Sequence, residues 1–167
     1  YVYTSWSDGG DQSHTYTVPG SDATVTANFK KQYYLTVTSS HGNPQGEGWY
    51  DANTTANFSV TSPDVNGSTR YIFQDWTGDY TGTETSGSVT LDSPKNVTAN
   101  WSTEYYLNVT SSHGTVTGSG WYEARSSASF SVTPIIISSG PGSRYLFIRW
   151  LGSGSGSYTG PGYSHTI

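Results

Sequence analysis

Four histidines, His14, His41, His113 and His165, are the side chains of this 167-residue chain best suited to moving protons near neutral pH. A base also needs a nucleophile or an acid within hydrogen-bond reach. The four stand instead in matched contexts: His41 and His113 in Ser-Ser-His-Gly, His14 and His165 in Ser-His-Thr-Tyr and Ser-His-Thr-Ile. Pairwise repetition fits a scaffold better than an active site. Carboxylates are the next candidates, since acid clusters in loops bind calcium. Asp75 and Asp79 in "DWTGDY" are echoed by Asp8 and Asp11 in "SWSDGGD", but a third version has Arg149 and Ser153 at the corresponding places. Calcium is therefore the one cation the pattern leaves open, and solvated loop acids are the favoured reading. With no cysteine there is no thiolate metal site, disulfide or cysteine nucleophile. "GSGSGSYTGPG" (152–162) has neither the lysine nor the spacing of a phosphate-binding loop, and reads as a flexible loop. The expectation is a non-enzyme with no catalytic residue, no metal and no cofactor.

The chemical motif with most support is the Asn-x-Ser/Thr triplet that accepts an N-glycan. Asn53, Asn57, Asn66, Asn96, Asn100 and Asn108 each begin one, and only Asn28 and Asn43 do not. Asn57, Asn96, Asn100 and Asn108 alternate with apolar neighbours, which puts them on outward strand faces; Asn53 and Asn66 fall in predicted turns. All six positions would let a glycan attach without entering a core.

Aromatic residues allow two uses. Trp49, Trp76, Trp121 and Trp150 recur at matched places, as core residues of a small β unit would, but an exposed indole also stacks on a pyranose ring. Exposure of the indoles separates the two. Ile135, Ile136 and Ile137 interrupt a polar loop in "PIIISSGPG", which reads either as an assembly contact or as an extra buried strand.

Composition narrows the partners. Charge is sparse at 11%, the formal net charge is -5 and no basic run appears, so the surface that neutralises nucleic-acid phosphates is missing. No apolar run approaches the roughly 18 residues of a membrane span. The chain begins at Tyr1 with neither an initiator methionine nor a leader, and is expected to be an excerpt of a longer or processed polypeptide. An apolar fraction of 32% is thin for one large core and favours small units.

The elements that would position these residues follow from an internal repeat. Tyr33-Tyr34-Leu35, His41-Gly42, Gly48-Trp49-Tyr50 and Phe58-Ser59-Val60-Thr61 recur 72 positions later as Tyr105-Tyr106-Leu107, His113-Gly114, Gly120-Trp121-Tyr122 and Phe130-Ser131-Val132-Thr133. Arg70-Tyr71, Phe73 and Trp76 then recur as Arg144-Tyr145, Phe147 and Trp150. "VTANFK" (25–30) matches "VTANWS" (97–102), and Tyr1 and Trp6 fall where Tyr71 and Trp76 fall. Residues 1–31 are thus the second half of a repeat, 32–103 a complete one, and 104–167 the first part of a third without its "VTANW" strand.

Apolar residues alternate at period two in "YYLTVTS", "TANFSVT" and "NVTANW", and turn-rich segments separate the runs. No helix is predicted. The fold class is all-β: small β-sheet domains in tandem, built as a β-sandwich or a helix-poor β-grasp-like unit. The unequal ends raise one further expectation, that residues 1–31 of a neighbouring subunit complete the third repeat in a head-to-tail homopolymer; a longer array cut out of phase is the alternative.

The residues from "YYLTVTSSHG" and "GEGWYDANTTANFSV" through "YIFQDWTGDY" to "SPKNVTANW" resemble the divergent InlB-type B-repeat modules of bacterial and archaeal cell-surface proteins. The likeness rests on Tyr33, Tyr34, Leu35, Val37, Gly48, Trp49, Tyr50, Ala52, Phe73, Trp76, Val97, Thr98, Ala99, Asn100 and Trp101. It implies a β-grasp-like domain, an extracellular location and service in repeat stalks, adhesins or envelope proteins. The internalin repeats include a helix, whereas this chain has the turn-like "SPDVNGSTR" with Pro63 and Gly67. The resulting expectation is a structural segment of a glycosylated surface filament, stalk or envelope protein, with adhesion as an added capacity. The alternative is a carbohydrate-binding adhesion or accessory module of a secreted enzyme.

Overall fold

The computed structural model describes residues 1–167, which form fifteen strands and no helix. In chain order these are β1 (Val2–Trp6), β2 (Ala27–Lys30), β3 (Gln32–Thr38), β4 (Gly48–Asp51), β5 (Thr55–Ser59), β6 (Asp64–Asn66), β7 (Thr69–Gly78) and β8 (Ser86–Thr90). There follow β9 (Lys95–Leu107), β10 (Thr115–Thr117), β11 (Gly120–Glu123), β12 (Ser129–Thr133), β13 (Ile136–Gly140), β14 (Ser143–Leu146) and β15 (Ser164–Thr166). The all-β class expected from period-two alternation is the class observed. Two compact units form, one from Tyr1–Ser62 and Phe73–Trp101, the other from Pro63–Ile72 and Ser102–Ile167.

In the first unit a mixed sheet runs β4, β3, β9, β7. Strand β3 pairs antiparallel with β4 and parallel with the start of β9, Leu35 opposite Lys95 and Val37 opposite Val97. Strands β5 and β8 form a second, antiparallel ladder. Alternation decides what lies between them. Leu35 and Val37 of β3, Val97 and Ala99 of β9, and Phe73 and Trp76 of β7 meet Ala56 and Phe58 of β5 and Val89 of β8, with Val60 and Leu91, in one buried cluster. The Phe58 and Trp76 rings meet edge to face at 4.8 Å. Burial of one such indole is worth roughly 4–6 kcal/mol at ~25 cal/mol per Å². This is a two-layer packing of the complete repeat. The close approach of Gly46 to β5 needs a glycine, because its φ is +96° and a Cβ there would run into the Asn57 carbonyl; Gly118 repeats the φ and the approach, to Ser129.

Residues 1–31 of the same unit reproduce part of this scheme. Strand β1 pairs antiparallel with β2, Tyr3 opposite Phe29 and Trp6 opposite Ala27. Tyr3 meets Phe29 edge to face at 6.0 Å, as Phe73 meets Trp101 at 5.7 Å. No residue of this segment is buried, and the Tyr3 hydroxyl is shut off from water without a hydrogen-bond partner.

In the second unit β12 lies between β10 and β15, the end of β9 pairs with β11, β6 pairs with the start of β7, and β13 pairs with β14. Val109, Ala128, Phe130 and Val132 are its buried apolar residues. The place that the "VTAN" part of β9 holds beside β3 in the complete repeat has no counterpart here. As a result Asn108 to Thr110 lie outside any strand, where alternation predicts that "YYLNVT" continues as one.

Candidate functional site

All six sequon asparagines are exposed. Asn57 faces outward from β5, opposite Ser88, with buried Ala56 and Phe58 on either side. Asn96 and Asn100 flank buried Val97 and Ala99 on β9. Asn53 sits in a turn with φ of +65°, its N–H donating to the Leu91 carbonyl at 2.7 Å. Asn66 is the last residue of β6, and Asn108 lies just past the end of β9 rather than within a strand. The Asn100 amide donates to Asp75 Oδ1 at 2.6 Å and to Thr77 Oγ1 at 3.3 Å, so a glycan there would displace those bonds.

The histidines are built into their surroundings. Both ring nitrogens of His14 are engaged, Nδ1 with the Asp11 carbonyl at 2.8 Å and Nε2 with Asp8 Oδ2 at 2.9 Å. The Asp8 bond raises the His14 pKa, and the same bond lowers that of Asp8. His41 packs edge to face on Trp101 at 5.8 Å; His113 stacks on Tyr145 at 3.8 Å and His165 on Tyr158 at 3.6 Å. The loop acids are also occupied: Asp75 accepts from Asn100, and Asp79 Oδ2 accepts the Asn96 N–H at 2.7 Å. No three His, Asp or Glu side chains converge on one point.

The tryptophans divide. Trp76 is 1% exposed and donates Nε1–H to the Glu84 carbonyl, so it offers no ring face to a sugar. Trp150 is half-buried against Phe130 at 5.1 Å and donates to the Gly162 carbonyl. Trp49 is 66% exposed beside Tyr34. Trp121, its repeat counterpart, is half-buried, because the Arg70 guanidinium lies 4.7 Å over its ring. Ile136 and Ile137 begin the β13–β14 hairpin; Ile135 and Ile136 are exposed and Ile137 half-buried, so the trio forms neither a loop nor a buried strand.

The Arg70 arrangement is the feature that sequence reasoning missed. Arg70 donates from Nε to Glu104 Oε2 at 2.6 Å and pairs with the same carboxylate through Nη2, while the Tyr106 N–H donates to the Ser68 carbonyl at 2.9 Å. The β6–β7 hairpin at the end of one repeat thereby clasps the first strands of the next. Scarcity of charge was the available signal: in a chain with seven Lys and Arg, an arginine stands before Tyr at the same place in both copies.

Among protein families, the divergent InlB B-repeat domain matches residues 1–32 of this chain. The matched segment is the β1–β2 half-repeat. Comparison with curated proteins and with solved structures finds no match.

Proposed function

We propose that this chain is a structural, non-enzymatic segment of an extracellular glycosylated filament, stalk or envelope protein, assembled by strand or loop contacts between copies and able to serve adhesion. The observation that supports the reading is the position of the sequons: all six asparagines are exposed, and beside Asn57, Asn96 and Asn100 the strand neighbours Ala56, Phe58, Val97 and Ala99 fill the core. Glycans on those faces would guard strand edges against unwanted pairing and proteolysis. The similarity of residues 1–32 to a repeat family associated with cell-surface proteins supports the location and a repeat role. The proposal includes no cofactor, metal or nucleic acid, and copies of the chain as its partners.

Intact mass of the protein from its native source tests the glycan part. An excess of whole glycan masses that disappears on enzymatic deglycosylation supports it, and the bare polypeptide mass overturns it. Negative-stain images of the same material showing uniform fibres or arrays support the structural part. The exposed Trp49, which meets half-buried Tyr34 edge to face, favours a second reading, a carbohydrate-binding adhesion module; polysaccharide binding by isolated monomers, lost in Trp49→Ala, would establish that one instead.

A further inference from the structure

The β5–β8 ladder of the complete repeat turns a polar face away from the core. Its register sets Asn57 opposite Ser88 and Ser59 opposite Ser86, while buried Phe58 lies opposite Gly87. Asn57 and these three serines, with Gln45 and Tyr80, line an open trough of about 480 Å³. That volume falls within the roughly 300–1,000 Å³ of small-molecule sites. No charged side chain lines it, so its hydroxyls, amides and phenol ring suit a neutral, hydroxyl-rich ligand rather than an ion.

The third copy has the same register but other side chains. Ser129 stands opposite Thr166 as Asn57 stands opposite Ser88, and there the two hydroxyls bond to each other at 2.7 Å. Thr117 and Ser131, at the places of Gln45 and Ser59, bond likewise at 2.9 Å. His165 stands at the place of Gly87 and stacks on Tyr158 at 3.6 Å. Gly87 has no side chain, so Tyr80 settles against the strand instead, where a Cβ would meet its ring at 2.7 Å. The residues that shape the trough are thus those in which the two copies differ, and one of them is a sequon.

We infer that the pyranose joined to Asn57 lies in this trough, packed against Tyr80 and hydrogen-bonded to the serine hydroxyls, so that the glycan braces the β5–β8 ladder as well as covering it. The inference rests on the glycosylation part of the proposed function and says where one glycan sits. The occupant follows from tethering. Asn57 itself lines the cavity, and Ser88 stands directly across from it at the cross-strand Cβ spacing of ~4.5–5.5 Å, within reach of a first sugar. A tethered sugar also escapes most of the entropy loss that a free one meets on binding. Asn100 is the contrast: its amide is held by Asp75 and Thr77, so a sugar there starts by breaking bonds. A brace counts on this ladder because it is a two-stranded sheet, with a single further bridge from Gln45 to Ser59 at its edge.

The test uses the 167-residue chain made in a host whose N-glycans begin with N-acetylglucosamine. Asn53→Gln, Asn66→Gln, Asn96→Gln, Asn100→Gln and Asn108→Gln leave Asn57 as the acceptor, and an endoglycosidase trims its glycan to one N-acetylglucosamine. Glycosylated and bare forms of this same polypeptide are then compared by NMR. The expected result is nuclear Overhauser contacts from the sugar to Tyr80 and Ser86, with amide exchange across β5 and β8 slowed about threefold or more and that of β3 and β9 unchanged. Ser88→Val fills the space opposite Asn57 with a residue that suits an exposed strand, and should keep the glycan while abolishing both effects. An attached sugar that gives neither contact nor slowing overturns the inference and leaves glycosylation standing, as do effects that persist in Ser88→Val. So does an Asn57 left bare in the unaltered chain while other sequons are occupied. A chain bare at all six overturns the glycan reading itself, and this inference with it.

Discussion

The complete repeat and the third copy share most of their sequence pattern and differ in how much of it they bury. Eleven apolar residues are buried in the complete repeat's cluster, against four in the third copy. Counterparts on β5 and β12 fare alike: Ala56, Phe58 and Val60 match Ala128, Phe130 and Val132, all buried. The losses lie on the other layer. Leu35, Phe73 and Trp76 are buried, whereas Leu107, Phe147 and Trp150 are half-buried. One strand accounts for this, because β9 lies between β3 and β7, and nothing holds the equivalent place in the third copy. A central strand thus fixes the burial of its neighbours more than their own sequences do.

Truncating matched tryptophans tests that difference most severely. Trp76→Ala should cost about 3–5 kcal/mol, and Trp150→Ala less than half of that, because its site is already open to solvent. Amide hydrogen exchange reports each copy separately, through β5 for the first and β12 for the second. Equal costs would mean that the missing strand is not what separates the copies.

The layer the copies share should respond equally. Gly46→Ala and Gly118→Ala each force a Cβ into the next strand's backbone at a φ of +96°, for an expected loss of roughly 2 kcal/mol in either copy. Denaturant midpoints of the two variants should coincide within error. A third copy insensitive to Gly118→Ala would show that its β12 layer is less fixed than its buried Phe130 implies.

The same contrast explains what was legible in the sequence. Alternation in "TANFSVT" and "NVTANW" puts Ala56, Phe58, Val97 and Ala99 inward and Asn57, Asn96 and Asn100 outward, as observed, because the opposite layer that each strand packs against is present. It failed in "YYLNVT", where Val109 is buried but Asn108 has left the ladder, because pairing depends on a partner far along the chain or outside these residues. The indole of Trp49 and that of Trp121 look identical in sequence. Their exposure differs because the covering hairpin belongs to the preceding repeat, a relation that local patterning does not encode.

That covering hairpin gives a smaller test. Arg70→Ala should uncover Trp121 and lower the stability of the second unit by about 1 kcal/mol, with Trp121 fluorescence moving toward that of exposed Trp49. Arg70→Lys keeps the charge but loses the planar fork, and should recover only part of the loss. Full recovery by lysine would mean that charge alone, rather than stacking, distinguishes the two tryptophans.

The smallest effect belongs to residues 1–31, where an ion pair stands in for the absent core. His14 packs on Trp6 and pairs with Asp8, which raises the histidine's pKa and lowers that of the aspartate. The raised His14 value contributes stability that is complete below its unfolded pKa of about 6.5 and is lost as pH climbs through the folded value. The lowered Asp8 value contributes stability present above about 3.9 and lost as pH falls through its folded value. The two together make the window from about pH 4 to 6.5 the one in which the β1–β2 segment is held best. An NMR titration should place the His14 ring above the ordinary histidine range, and Asp8→Asn should return it there. Residues of the complete repeat, held by their buried cluster, should show no corresponding change in exchange protection over the same pH range.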